Sequence, residues 1–314
     1  MKHFIKSWFF TLFSVFLLVG CVTKTEQKAE QEQTSQQRPP IIDMHLHAQE
    51  AIWMETLPQF PWPATGPKTE IKDISELLPR TVEEMNKYNI VLGVLTQDNL
   101  DELYRWKEYD SRFMLGAMVG NPKAADLERI TNDFKNGKLE VVGEIASQYH
   151  NYAANDPALD PFFALAEEFD APVLIHCMGA GGGLHFPIAK GNPLLVSEVI
   201  KKHPKLKIYI ENAAWPFLEE IISLLYMYPN VYVDVSTITW VIPRNVFHSY
   251  LKDLMDAGLG KRIMFGSDQM IWPESIGMAI EAIESAEFLT EEEKRDIFYN
   301  NAARFLRLEE ELEK

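Results

Sequence analysis

Eight short β-type runs alternate with helical patterns through most of this chain, and that rhythm limits the fold more than any other feature. The runs are 41–47 (IIDMHLH), 89–96 (NIVLGVLT), 112–119 (RFMLGAMV), 139–146 (LEVVGEIA), 171–177 (APVLIHC), 206–211 (LKIYIE), 230–236 (NVYVDVS) and 262–268 (RIMFGSD). Between them lie stretches such as SELLPRTVEEMNKY, ADLERITNDFKNG, PFFALAEEFD, PLLVSEVIKKHP, FLEEIISLLYMYP and NVFHSYLKDLMDAG. Their apolar residues recur at i, i+3 and i+4, and most stop at Gly, Pro or Asp, as amphipathic helices do. Strands alternating with helices build βαβ units and a parallel sheet. Eight such units, in a chain not far above the usual barrel size of about 250 residues, predict an α/β protein with a (β/α)₈ barrel. An open doubly wound sheet is the competing arrangement, but no GxGxxG follows the first strand. The tail TEEEKRDIFYNNAARFLRLEEEL adds C-terminal helices, with Thr290 and Glu293 spaced as a capping box.

The N-terminus reads differently. MKHFIKSWFFTLFSVFLLVGC has a basic start at Lys2 and Lys6 and an apolar run from Trp8 to Val19, as a signal peptide does. It ends in Leu18, Val19, Gly20 and Cys21, a pattern that resembles a bacterial lipobox with lipid on the Cys21 thiol. Residues 21–39 are rich in Gln, Glu, Lys and Thr and have little to bury, so they read as a disordered tether. The expected organisation is a signal segment over 1–20, a tether over 21–39 and one barrel domain over 40–314. Such a chain would be exported and anchored to a bacterial membrane through its lipid. With Cys21 lipidated, Cys177 is the only other cysteine and no intrachain disulfide forms. The net charge of −16 argues against nucleic acid as a partner. It leaves a small molecule as the expected ligand and homo-oligomerisation open.

Six of the eight runs end in groups that can do chemistry. His45 and His47 alternate with apolar residues on the first run, which would place Asp43, His45 and His47 on one face. Glu144 ends the fourth run, His176 the fifth, Glu211 and Asn212 the sixth, Asp234 the seventh and Asp268 the eighth. In barrel enzymes the chemistry sits on this C-terminal rim. Two imidazoles two residues apart on a strand chelate a borderline-soft divalent cation such as zinc. His176 and Asp268 complete a ligand shell, and Asp268 is also placed to accept a proton from water activated by the metal. The bland alternatives are solvated strand histidines, a core His176, a helix-capping Asp268 and a Glu144 paired with a base. Asp234 is read as more in keeping with the helix-facing side of its strand.

Two loops stand out. Residues 48–74 are long, proline-rich and aromatic, with Trp53, Phe60 and Trp62, and read as a pocket wall or a self-packed loop. MGAGGGLHFP after the fifth strand holds Gly179, Gly181, Gly182 and Gly183, whose backbone can approach an anion, and is followed by His185. Trp215, Trp240, Arg244, His248 and Trp272 fall near the rim in sequence. Of these groups, His185, Arg244 and Trp215, with Glu211 and Asn212, are the candidates for binding a substrate.

Taken together, DMHLH, the strand-ending His176, RIMFGSDQ, YPNVYVDVS and the closing NNAARFLRL resemble the amidohydrolase superfamily in its amidohydrolase-related, TIM-barrel branch. The resemblance covers roughly residues 41–308. It implies metal-assisted hydrolases, decarboxylases and hydratases acting on carboxylates and lactones, with His45, His47, His176 and Asp268 as metal-site residues. VVGEI resembles the strand-4 glutamate that binds metal in some of those barrels, which implies a ligand role for Glu144. The departure is strand 6: ENAAWP puts Glu211 or Asn212 where the family has a histidine. A site this rich in carboxylates would admit Mn²⁺ beside Zn²⁺, as one or two ions. The expected activity is hydrolysis of an ester, lactone or amide. Non-oxidative decarboxylation and a non-catalytic, lipid-anchored binding protein are the rivals.

Overall fold

The computed structural model describes residues 38–50, 71–180 and 185–308. Its eight strands are β1 (Ile41–His47), β2 (Ile90–Gln97), β3 (Phe113–Ala117), β4 (Val141–Ile145), β5 (Pro172–Ile175), β6 (Lys207–Ile210), β7 (Val231–Asp234) and β8 (Ile263–Met264). They form one parallel sheet in chain order. Met44 N donates to Phe265 O at 2.9 Å and Asp268 N to His45 O at 2.8 Å, which brings the last strand back against the first. The expected (β/α)₈ barrel is therefore the observed one.

Helices fill the crossovers: α1 (Leu77–Lys87), α2 (Leu100–Tyr109), α3 (Leu127–Lys135), α4 (Asp160–Glu168), α5 (Val196–Lys202), α6 (Leu218–Met227), the single turn α7 (Ile238–Val241), α8 (Arg244–Asp256) and α9 (Glu274–Glu284). Local chemistry sets their ends. Asn99 and Asp126 accept hydrogen bonds from the first-turn amides of Asp101 and Arg129. Pro79 sits in the first turn of α1, where its missing N–H costs nothing. The tail adds α10 (Glu291–Arg295), a π-turn at Asp296–Asn300, and α11 (Asn301–Leu306). The expected capping box is formed: Thr290 Oγ1 accepts from Glu293 N at 3.2 Å, and Glu293 Oε2 accepts from Thr290 N at 2.8 Å.

The strand period of two divides the apolar residues between two clusters. The larger lies between sheet and helices and includes Leu95, Trp106, Phe113, Val173, Ile210 and Leu251. The smaller takes residues from six strands inside the barrel: Ile42, Met44, Val94, Val141, Leu174, Tyr209 and Met264. Ala302, Ala303 and Phe305 of α11 pack on it and plug one end. Leu174, Tyr209 and Tyr232 each lie two residues before His176, Glu211 and Asp234, so the polar groups occupy the same inward face one layer further along. The barrel is thus apolar below and polar above.

Gly143 makes room for that upper layer. Its φ is +129°, and a Cβ there would lie 2.5 Å from the Leu174 carbonyl oxygen. Gly143→Ala should cost roughly 1–3 kcal/mol and lower the melting temperature by roughly 2–4 °C per kcal/mol, read by thermal denaturation. Cys177 is fully buried, and burial pushes its thiol up to about 12. In the folded protein it should resist alkylation at pH 8, and react only after denaturation, as peptide mass spectrometry would show. The sign for stability follows from the raised folded value. The neutral thiol is the folded form, so the contribution is intact below the ordinary value of 9.0 and is lost as pH rises toward 12.

The expected signal segment, Cys21 and the tether, and Trp53, Phe60, Trp62 and three glycines of the 178–187 loop (Gly181, Gly182 and Gly183), lie outside the described residues. No helix among the described residues is long and apolar enough to cross a membrane.

Candidate metal centre

Seven side chains meet at the C-terminal rim: His45 and His47 from β1, Glu144 from β4, His176 after β5, Glu211 after β6, Asp234 at the end of β7 and Asp268 after β8. All are 7% exposed or less. His45 Nε2 lies 3.1 Å from His47 Nε2, 3.2 Å from Glu211 Oε1 and 3.7 Å from Asp268 Oδ1. His47 Nε2 lies 3.1 Å from Asp268 Oδ1 and 3.5 Å from Glu144 Oε2. His176 Nδ1 lies 3.1 Å from Glu144 Oε1 and 3.3 Å from Glu211 Oε2.

The strand-6 alternatives separate here. Ile175 pairs with Ile210, so His176 and Glu211 are next in register and face each other inside the barrel. Glu211 is therefore the strand-6 residue that faces the cluster. Asn212 turns away at φ 56°. Its Oδ1 accepts from Thr237 N at 3.1 Å and lies at the same distance from Ser236 Oγ, so it braces the segment after β7.

Three expectations are corrected. Asp234 does not face the helices: its Oδ2 is 3.6 Å from His45 Nδ1, because it shares the inward face with Tyr232. Asp43 does not join the two histidines at the cluster. The β1–β2 register shifts between Asp43 and Leu46, and this irregularity breaks the simple alternation. Asp43 Oδ1 instead accepts from Ser267 N at 2.9 Å and His45 N at 3.1 Å, fastening β1 to the segment after β8. Burial pushes this carboxyl up to about 7, against the lowering effect of those hydrogen bonds. Arg244 is no part of the cluster: it begins α8 and its guanidinium donates to Ser285 Oγ at the end of α9. His248 on the same helix meets the Ala282 carbonyl at 2.8 Å. His185 is exposed in a turn. Trp215 is half-buried against the core, after the Glu211–Ala214 turn.

Several contributors carry no sequence signal of their own. Thr96 Oγ1 is 3.1 Å from His47 Nδ1, and Ser236 Oγ is 2.9 Å from His45 Nδ1. The Thr237 hydroxyl donates to Asp268 Oδ2. Gln269 accepts from His47 N at 2.9 Å and donates to His47 O at 2.7 Å. Tyr149 and Phe186 form an aromatic face on His176, with ring centroids 4.8 and 6.5 Å from it.

Four carboxylates in so small a buried space shift one another. Burial and the charges of Glu144, Asp234 and Asp268 raise Glu211 well above the usual carboxylate range. Burial opposes ionisation of Glu144 too, but the His176 hydrogen bond and the charges of the three histidines hold it near 2. Burial would lower His45, yet Asp268, Asp234 and Glu144 raise it to about 10. Asp268 is likewise held below its usual range, despite burial, by His45, His47 and Thr237. Buried anions held this close call for a cation. The donor set fits one: the ligating atoms of His45, His47 and Asp268, and those of His45, Glu144 and Glu211, each lie within 4.8 Å of one another. His176 Nε2, Glu211 Oε1 and Asp268 Oδ1 are buried without a hydrogen bond.

A parallel barrel whose rim gathers imidazoles and carboxylates is a barrel with a candidate metal site. Residues 42–308 match the model of the amidohydrolase family, described as "Amidohydrolase", and the chain belongs to that family and is an enzyme. Among solved structures it is similar to a TIM-barrel protein from Bordetella bronchiseptica, with 19% identity, TM-score 0.65, and 86% of this chain and 99% of that one covered. It is also similar to a probable 2-pyrone-4,6-dicarboxylic acid hydrolase from Acinetobacter baumannii, with 16% identity, TM-score 0.58 and coverage of 85% and 99%. A third is 2,6-dihydroxybenzoate decarboxylase from Rhizobium, with 16% identity, TM-score 0.59 and coverage of 87% and 99%. At these identities the likeness shows the fold. Among curated proteins, Protein fluG of Emericella nidulans is 21% identical over 139 residues. That match takes in 40% of this chain but only 16% of that protein's length.

Proposed function

We propose that this enzyme is a divalent-cation-dependent hydrolase acting on a small ester, lactone or amide. The observation that carries the reading is the position of Asp268, whose Oδ2 is held by Thr237 while its buried Oδ1 faces both β1 histidines without a hydrogen bond. His45, His47 and Asp268 would hold a cation, and Glu144 and Glu211, grouped with the same His45 and beside His176, offer the further ligands. Zinc suits the imidazoles and manganese the carboxylates. Once bound, the cation supplies Lewis acidity, polarising a carbonyl oxygen and acidifying water beside it.

The protein's own groups do the rest. His45, His47 and Thr237 hold Asp268 below the usual carboxylate range, so at the start of a cycle it accepts a proton rather than giving one. The natural source is the attacking water, and the proton then passes to the leaving oxygen or nitrogen. The Thr237 hydroxyl fixes one carboxylate oxygen and leaves the other to move the proton. The Tyr149–His176–Phe186 face offers an apolar seat for a flat portion of the substrate.

That same aromatic face supports a second reading, decarboxylation of an aromatic carboxylate, in line with the activity of the Rhizobium neighbour. The two are separated by incubating the metal-loaded enzyme with lactones, esters and hydroxybenzoates in H₂¹⁸O. Hydrolysis puts ¹⁸O into the product acid. Decarboxylation releases CO₂ and introduces no ¹⁸O by water attack. We also propose that the enzyme is exported and held at a bacterial membrane by lipid on Cys21, a reading supported by the LVGC sequence. Metabolic labelling with palmitate, lost in Cys21→Ala, tests it.

A further inference from the structure

Ser236 and Asp234 form a relay on the far side of His45 from the carboxylate cluster. Ser236 Oγ lies 2.9 Å from His45 Nδ1 and 2.5 Å from Asp234 Oδ1. Asp234 Oδ1 also accepts from Ser236 N at 3.0 Å and from Asn212 N at 3.1 Å, so the carboxylate is anchored by backbone. Its other oxygen is 3.6 Å from His45 Nδ1, too far for a direct hydrogen bond. The serine hydroxyl bridges that gap.

Ser236 has one proton to give. Three acceptors surround it: Asp234 Oδ1, His45 Nδ1 and Asn212 Oδ1 at 3.1 Å. The carboxylate is the nearest and the only charged one, and two oxygens 2.5 Å apart without a proton between them would repel. The proton therefore goes to Asp234. Ser236 Oγ is then left as an acceptor, and His45 must donate from Nδ1. With Nδ1 carrying a hydrogen, Nε2 is the nitrogen that turns a lone pair toward His47, Glu211 and Asp268 whenever the ring is neutral.

We infer that Ser236 and Asp234 are positioning residues that lock His45 in the tautomer and orientation needed to ligate a cation through Nε2. The inference rests on the cation reading above and extends it to two residues that would not touch the ion. Groups that hold a ligating histidine by its other nitrogen typically change metal affinity by about 10–100-fold when removed. All of the contacts are buried.

The test measures zinc affinity by competition with a chromophoric chelator in the metal-stripped full chain. Wild type is compared with Ser236→Ala, Asp234→Asn, Ser236→Thr and His45→Ala. In parallel, ¹⁵N-histidine spectra of the zinc-loaded protein report which nitrogen of His45 carries hydrogen. The expected result is a 10–100-fold weaker affinity in Ser236→Ala and Asp234→Asn, recovery in Ser236→Thr, and an Nδ1–H signature for wild-type His45. A merely structural serine would lower the melting temperature while leaving zinc affinity and tautomer unchanged, and that would overturn the inference alone. A wild type that takes up no zinc would overturn the cation reading and the inference together. If Ser236→Ala fails to fold, Asp234→Asn and the wild-type spectrum still decide: a hydrogen on Nε2 with zinc on Nδ1 would refute the relay.

Discussion

Asp268→Asn lowers turnover by about 10²–10⁴-fold, the usual contribution of a positioned proton-transfer group, while leaving the fold and most of the bound metal in place. The amide keeps the shape of the carboxylate and an oxygen for the Thr237 hydroxyl, which now bonds Asp268 Oδ2. It cannot take a proton from water. His45 and His47, and the neighbouring Glu144 and Glu211, remain to hold a cation. The loss should fall on kcat far more than on KM, because the group acts on the proton in flight and not on the resting substrate. Steady-state kinetics on whichever substrate the ¹⁸O experiment identifies, beside metal analysis of the same preparation, makes the comparison. Unchanged kcat with metal retained would remove Asp268 from the proton path.

The second large effect is on stability. Glu144, Glu211, Asp234 and Asp268 are buried together, and Glu211 is pushed far up by its carboxylate neighbours. A cation bound among them relieves that repulsion in the folded state and has no comparable site in the unfolded chain. At a free concentration of about 100 times Kd, the linkage adds about 2.7 kcal/mol, a rise of roughly 5–10 °C at roughly 2–4 °C per kcal/mol. Stripping the protein with a chelator and adding back zinc or manganese in a thermal melt should show it. His45→Ala/His47→Ala should abolish the rise, since both groups of candidate ligands include His45. A double variant stabilised as strongly as wild type would place the cation elsewhere.

The eight strands could be read from the chain because each is a short apolar run bounded by turn residues, a signal carried within the segment itself. The rim residues were legible for the same reason: two positions beyond an inward apolar residue is still the inward face, which places His176 after Leu174 and Glu211 after Tyr209. Asp234 obeys that rule after Tyr232, but the run YVDVS gives no sign of which face is inward. The place of Asp43 is not legible in its own strand, because an irregularity in strand pairing is a property of two strands, not of one. Arg244, His185 and Trp215 lie near the rim in sequence, and sequence nearness says nothing about direction. Ser236, Thr237, Thr96 and Gln269 act on residues 31 to 222 positions away in the chain, so only the closed barrel brings them into play.

Metal content tests most directly whether this rim is a metal centre. The protein, purified without chelator or added metal, goes to inductively coupled plasma mass spectrometry beside the His45→Ala/His47→Ala variant. One or two equivalents of zinc or manganese per chain, absent from the variant, is the predicted result. A folded wild type that carries no divalent metal and takes none up on addition would contradict it.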